Sequence, residues 1–275
     1  MNVSEHVTFF IQEMTRRHFS KMTVKNYASC IEIFFRQSTK DHPKNINEND
    51  IRAFLSKFTT ANTQRAYHSA IKKFHEVCLG QKEKFKYIPY CHADRRLPVI
   101  LSQEEIQKLF SVITNLKHKA ITALLYSTGM RVTELIYLKI KDIDSDRMLI
   151  FLSRAKGDKD RFVMLNEKVL VLLREYYTKY HPLEYLFNGQ FEPQYTARSI
   201  NEFLKTYARK AGIKKYIHAH LLRHNCFSDM VSNGIDIGLI QRLAGHKNQK
   251  TTSIYLHISD KTISKIQSPI AQINF

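Results

Sequence analysis

The stretch HAHLLRHNCFSDMVSNGIDIGLIQRLAGHKNQKTTSIYLH, residues 218–257, decides how this chain is read. It puts His220, Arg223 and His224 within about one helical turn, where side chains three or four residues apart share a face. Leu243-Ala244-Gly245-His246 closes the next apolar-periodic run, and Thr251-Thr252-Ser253-Ile254-Tyr255 follows it. Helical spacing of the apolar residues predicts helices near 219–232, 236–244 and 249–257. Beyond Tyr255, Ile263, Ile266, Ile270 and Ile273 form a helix-spaced stripe that Pro269 interrupts. This tail, 259–275, has no obvious partner in its own domain and is expected to dock elsewhere.

Upstream, the pattern is again mostly helical. Ser102 with Glu105 forms a capping box that opens a helix over 103–114. Helical spacing continues over 117–127, 131–139, 166–180 and 197–211. Residues 147–152 (RMLIFL) and 161–165 (RFVML) read instead as two strands. Gly157 lies between them, free to take positive φ in a hairpin turn. Residues 80–98 break all periodicity with Gly80, Pro89, Pro98 and many charges. We therefore expect a helical domain over 1–80, a linker over 81–98 and a mainly α domain over 99–275 with a small antiparallel β-hairpin. Within the first domain, Val7, Phe10, Ile11 and Met14 mark one amphipathic helix. At an offset of 40 residues, Thr23, Tyr27, Ser29, Ile31 and Phe34 then align with Thr63, Tyr67, Ser69, Ile71 and Phe74. Lys25 aligns with Arg65, off the apolar face of each copy.

The charge balance points to a partner. Lys and Arg total 43 against 25 Asp and Glu, a net charge of +18 spread over the whole chain. Such an excess on a folded chain suits a polyanion. Lys25 and Arg65 on the paired helices, with Arg95 and Arg96 in the linker, are the candidate contacts to double-stranded DNA. A membrane is disfavoured, because no segment approaches the roughly 20 apolar residues a spanning helix needs. The first residues, with Glu5 and Glu13, lack the basic start and apolar run of a signal peptide. Cys30, Cys78, Cys91 and Cys226 are widely spaced and suit neither a zinc knuckle nor a disulfide framework. A reducing cytoplasm, with the chain associated with the nucleoid, is the expected location.

Cations and imidazoles ahead of a tyrosine suit attack of a phenol on a phosphodiester. A free phenol has a pKa near ~10, so only about 0.1% is ionised at pH 7. It needs a proton acceptor or strong hydrogen-bond donors. The transition state carries added negative charge, which arginine forks fit in bidentate fashion. The departing sugar oxygen needs a proton from a lysine or histidine. The chain offers Arg131 after Thr128-Gly129-Met130, Lys156 on the hairpin, and His220, Arg223, His246 and Tyr255 downstream. Gly245 before His246 permits close backbone approach.

These residues carry a family resemblance. Thr128-Gly129-Met130-Arg131-x-x-Glu134-Leu135 resembles the first arginine box of the tyrosine recombinases, the phage-integrase family. Ala155-Lys156-Gly157-Asp158-Lys159-Asp160-Arg161 resembles that family's lysine-bearing hairpin. His220-Leu221-Leu222-Arg223-His224 resembles its His-x-x-Arg box, and the run from Ile240 to His246 with Thr251, Thr252 and Tyr255 resembles its last box. The resemblance spans about 97–257, and the helical first domain is similar to the family's core-binding domain. It implies a site-specific recombinase in which Tyr255 attacks the scissile phosphate and forms a 3′-phosphotyrosyl bond. Arg131 and Arg223 would hold the phosphate, His220 would take or position the phenol proton, and His246 would bind a phosphate oxygen. Lys156 would protonate the leaving 5′ oxygen. Neither metal nor ATP is implied, and four protomers would assemble on two DNA sites. The chain departs from the pattern at Asn225-Cys226, where a small Ser or Thr is usual, at Ala155, and at Met164.

Competing readings exist for several of these residues. His220 and His224 at i, i+4 suit a metal, but no Glu stands between them as in a metalloprotease helix. Arg131 has an ion-pair partner three residues on in Glu134. Lys159 and Arg161 share the hairpin with Lys156, and only the resemblance selects Lys156. The same boxes would also serve a type IB topoisomerase-like enzyme that relaxes DNA, or a non-catalytic DNA-binding regulator of the same fold.

Overall fold

Helix-capping residues and apolar spacing set the first half of the chain. In this computed structural model the described residues are 3–38, 40, 42–85, 87–91, 99–153, 160–189 and 192–245. The chain divides between residues 96 and 97 into two units. The first contains α1 (Val3–Arg16), α2 (Lys21–Arg36), α3 (Glu48–Leu55) and α4 (Ala61–Cys78). Ser20 caps α2 by accepting from the amide of Thr23, and Asn47 with Asp50 forms a capping box at α3. The two repeat copies lie on α2 and α4, which pack together. Ile31, Phe34, Ile71 and Phe74 point into one core, while Lys25 and Arg65 are exposed. Phe10 and Phe35 meet Phe74 edge-to-face at 5.6 and 5.1 Å between centroids, the arrangement aromatic rings prefer.

Part of the stretch expected as linker belongs to this unit. Gly80, at φ +67°, turns the chain back after α4. Phe85 and Ile88 then enter the same core, and a ring nitrogen of His68 meets the Ile88 carbonyl at 2.9 Å. The charges of 81–91 masked two apolar residues one helical turn apart. Residues 92–98, with Arg95 and Arg96, lie outside the described residues.

The second unit is also mainly helical: α5 (Gln103–Val112), α6 (Leu116–Thr128), α7 (Val132–Ile136), α8 (Glu167–Tyr180), α9 (Ala197–Lys210), α10 (Ala219–Ser232) and α11 (Ile237–Ala244). The expected Ser102–Glu105 capping box is formed. Helix α6 packs against both α8 and α10 and buries Ala120, Ile121, Leu124 and Leu125. Strands β1 (Ile143–Asp144), β2 (Leu149–Leu152) and β3 (Arg161–Met164) form an antiparallel sheet in that order. The register pairs Ile150 with Val163 and Leu152 with Arg161, so both buried members, Ile150 and Val163, face the core. Strand β1 has two residues, too few to show a period in the sequence. Helix α7 stops at Ile136, short of the expected 139. There Leu138 accepts from the Leu186 amide at 2.8 Å, and Ile140 donates to Glu184 at 3.2 Å. The backbone has turned to bridge another segment instead of continuing the helix.

The expected helix 249–257, the tail 259–275 and the hairpin tip 154–159 lie outside the described residues. Among the described residues no helix is long and apolar enough to cross a membrane. None of them forms a group of three or more His, Cys, Asp or Glu placed to hold a metal ion.

Candidate functional site

Arg131 precedes α7 as its N-cap, at φ −71° and ψ 150°. It follows Gly129, the left-handed C-cap of α6 at φ +62°. A Cβ at Gly129 would lie 2.6 Å from Cζ of Phe227 on α10. Glycine is therefore required twice, by backbone sign and by close approach. This contact sets the Arg131 turn directly against the helix that carries His220 and Arg223.

Arg223 is buried, with 1% of its surface exposed. Its guanidinium donates to the carbonyl of Gly129 and, at 2.7 Å, to that of Ala244. It also stacks over the Phe227 ring at 4.8 Å. The Arg131 side chain, 30% exposed, donates to the carbonyl of Gly245 at 3.3 Å. Gly245 is the left-handed C-cap of α11. Two expected phosphate-holding arginines, 92 positions apart in sequence, thus meet at the end of one helix. Helix C-terminal carbonyls carry partial negative charge and favour cations.

A third guanidinium joins them. Arg161 donates through Nε to the carbonyl of Leu243 at 2.7 Å. Its two terminal nitrogens grip both oxygens of Glu134 at 2.7 and 2.9 Å. Glu134 also accepts from the Arg131 side chain at 3.0 Å and the Arg131 amide at 2.6 Å. Burial alone would raise the Glu134 carboxyl; the bonds from Arg161 and the Arg131 amide outweigh it and hold it below its ordinary value. Two guanidinium groups, Arg131 and Arg161, share the Glu134 carboxylate, and Arg223 is held by the Gly129 and Ala244 carbonyls, so the three arginines and one carboxylate leave the cluster net positive, as an oxyanion site requires. The amide of Arg131, at the start of α7, is committed to Glu134.

His220 and His224 stand edge-to-face on α10 at 4.6 Å. His220 opens to solvent on one side. Crowding of the ring, then the charges of Arg223, His218 and Arg131, lower its pKa. It is therefore neutral at neutral pH and able to accept a proton. His224 is pushed down to about 4, first by burial and then by His220 and Arg223.

The structure brings together Arg131, Arg223 and the end of α11, with His220 one turn before Arg223. Lys156, His246 and Tyr255 lie outside the described residues. In the sequence Glu134 stands as a member of the first arginine box and a possible partner of Arg131, and Arg161 as a member of the hairpin motif and a rival to Lys156. The Glu three residues after Arg131 was the visible signal for the first. Nothing in the local sequence signals the bond from Arg161 to Leu243. The departure at Asn225 also has a structural use. Its buried amide accepts from the Leu101 amide at 3.0 Å and donates to the Leu101 carbonyl at 2.8 Å. Lys215 adds a bond to the carbonyl of Ile100 at 2.9 Å. The start of the second unit is thereby clasped to the helix of His220 and Arg223.

Residues 100–262 match the model of the phage integrase family, and residues 8–84 match that of the phage integrase N-terminal SAM-like domain. A putative integrase/recombinase, y4qK, of Sinorhizobium fredii is 31% identical over 94% of this chain and 86% of its own length. The tyrosine recombinase XerC of Bacillus licheniformis is 29% identical over 96% of this chain and 95% of its own. The crystal structure of the XerH site-specific recombinase bound to a palindromic difH substrate, a post-cleavage complex, superimposes with a TM-score of 0.72. It covers 90% of this chain and 80% of XerH at 24% identity, a likeness of fold.

Proposed function

We propose a reaction for this chain from one premise: it belongs to the phage integrase family. It is a tyrosine site-specific recombinase. Its substrate is double-stranded DNA, as for the XerH relative, which is bound to its difH substrate. The observation that carries the residue assignment is the meeting of Arg131 and Arg223 at the carbonyls of Gly129, Ala244 and Gly245. That end of α11 leads directly into the segment holding His246 and Tyr255.

The Tyr255 phenol oxygen attacks the scissile phosphorus. A 3′-phosphotyrosyl bond forms and the bond to the 5′ oxygen breaks. Arg131 and Arg223 hold the non-bridging oxygens, where each charge-assisted donor counts most in the transition state. Neutral His220 takes or orients the phenol proton, His246 binds a phosphate oxygen, and Lys156 protonates the leaving 5′ oxygen. The new phosphodiester to Tyr255 conserves the energy of the broken one, so neither ATP nor metal is needed. A 5′-hydroxyl from a partner strand reverses the attack and joins the new duplex. Exchange between two sites by paired cuts calls for four protomers, with residues 259–275 docking between neighbours. Lys25 and Arg65 in the first unit, with Arg95 and Arg96, contact the DNA backbone. The setting is chromosomal or mobile DNA in the cytoplasm.

The test is covalent capture on nicked suicide substrates built from DNA flanking the gene. The wild-type chain is expected to form an adduct in the presence of EDTA, and Tyr255→Phe to bind DNA without forming one. An adduct in the Phe variant overturns the role of Tyr255, and loss of the wild-type adduct in EDTA overturns the metal-free reaction.

A further inference from the structure

We propose that Arg161 is a positioning residue for this reaction, acting by keeping Glu134 from capturing Arg131. The inference rests on the phosphate-holding role given to Arg131 above. Arg161 does not face a substrate: its side chain is 10% exposed and its three bonds go to Glu134 and the Leu243 carbonyl. Glu134, 2% exposed, pairs with both guanidinium groups, that of Arg131 and that of Arg161.

The geometry of sharing is unequal. Arg161 meets the carboxylate fork to fork, one terminal nitrogen on each oxygen at 2.7 and 2.9 Å. Arg131 reaches the same group with one side-chain bond of 3.0 Å. Fork-to-fork pairing is the strongest arrangement a guanidinium and a carboxylate can make. Whichever arginine holds the fork fixes the carboxylate, and the other keeps its own fork turned elsewhere. With Arg161 removed, a buried Glu134 would be left with half its partners, and an unpaired buried carboxylate is costly. Arg131, three residues away at the N-cap of the same short helix, is a cation already placed to close on it. Closing would turn its donors away from a phosphate and cancel its charge.

Arg161 also acts as a brace. It opens β3, opposite Leu152, so it fixes the base of the hairpin. Its Nε holds the Leu243 carbonyl, and its guanidinium occupies the space beside Gly245, where a Cβ would come within 3.1 Å. One side chain thereby ties the Arg131 turn, the hairpin base and the end of α11. A lysine cannot replace it, because a single ammonium cannot span two carboxylate oxygens and a carbonyl at once.

The experiment measures single-turnover cleavage at saturating DNA, DNA affinity, and thermal unfolding for each variant of the full chain. Arg161→Ala is expected to lower the cleavage rate about 100-fold, the scale of losing one preorganised donor, with DNA affinity within about threefold. Arg161→Lys, which keeps the charge and preserves folding if the alanine variant unfolds, is expected to lose about tenfold. The distinctive result is the double variant Arg161→Ala/Glu134→Gln. Without the competing carboxylate, it is expected to cleave at least about fivefold faster than Arg161→Ala at equal folded fraction, a non-additive gain. Cleavage by both single Arg161 variants within threefold of wild type overturns the proposal, as does a double variant no faster than Arg161→Ala. A wild-type chain that forms no covalent adduct would instead refute the function on which the proposal rests.

Discussion

In the first unit, three histidines are buried with ring nitrogens that lack a hydrogen-bond partner among the described residues: both of His6, Nδ1 of His68 and Nε2 of His75. Burial lowers the pKa of each, that of His75 to about 4, so all three are held neutral among phenylalanines. In the second unit the buried groups Arg223 and Glu134 are ions, each tied to several partners. A buried ion network seldom adds stability over an apolar core of the same volume. Among the described residues it occurs in the second unit alone, where the proposed reaction has an anion to receive. The first unit gains what it needs from packing, and its proposed DNA contacts, Lys25 and Arg65, are exposed.

The sharpest way to break this contrast is Arg223→Ala. It removes the donor to Gly129 and Ala244 together with the proposed phosphate ligand, and cleavage is expected to fall by ~10²–10³. Wild-type-like cleavage in a covalent-capture assay would refute a functional reason for the buried cation. Next is Glu134→Gln, which leaves Arg161 buried without its counter-ion. A loss of about 3 kcal/mol is expected in the second unit alone, read by hydrogen exchange of α7 and β3 against α2. Equal losses in both units would show that the units do not respond separately.

Acid tests the other side. The unfolded chain protonates its histidines near their ordinary value of 6.5, while folded His75 stays neutral down to about 4. Stability is therefore present above pH 6.5 and lost as pH falls toward 4. For His75, which is fully buried, the loss between pH 7 and pH 5 is about 2 kcal/mol, with His6 and His68 adding in the same direction. Protection of α1 and α4 amides that does not change over this range would contradict the neutral-histidine account. The smallest effect belongs to Lys25→Ala and Arg65→Ala. Each is expected to reduce the salt slope of DNA binding by about 1 and to leave cleavage at saturation unchanged. An unchanged slope would remove these helices from the DNA interface.

Much of the fold could be read from local pattern. Ile31, Phe34, Ile71 and Phe74 announced α2 and α4 through spacing, and Ser102 with Glu105 announced α5 through a cap. The centre of the site was less accessible. Arg161 reaches Glu134 and Leu243 across 27 and 82 residues, and no periodicity within a helix or strand encodes such pairs. Leu138 looked like the end of a helix because the bridge that it and Ile140 make to residues 184–186 is a tertiary event. Phe85 and Ile88 were hidden by lysines, since composition weighs charge by number and packing selects by position.

The clasp between Asn225 and Leu101 spans 124 residues. It cannot close while the chain is being made until α10 has left the ribosome. Closing so long a loop carries a large entropy cost and forms slowly. The helix of His220 and Arg223 is thus secured late, after most of the polypeptide exists. A truncated or stalled chain would hold a completed first unit without the secured helix of His220 and Arg223.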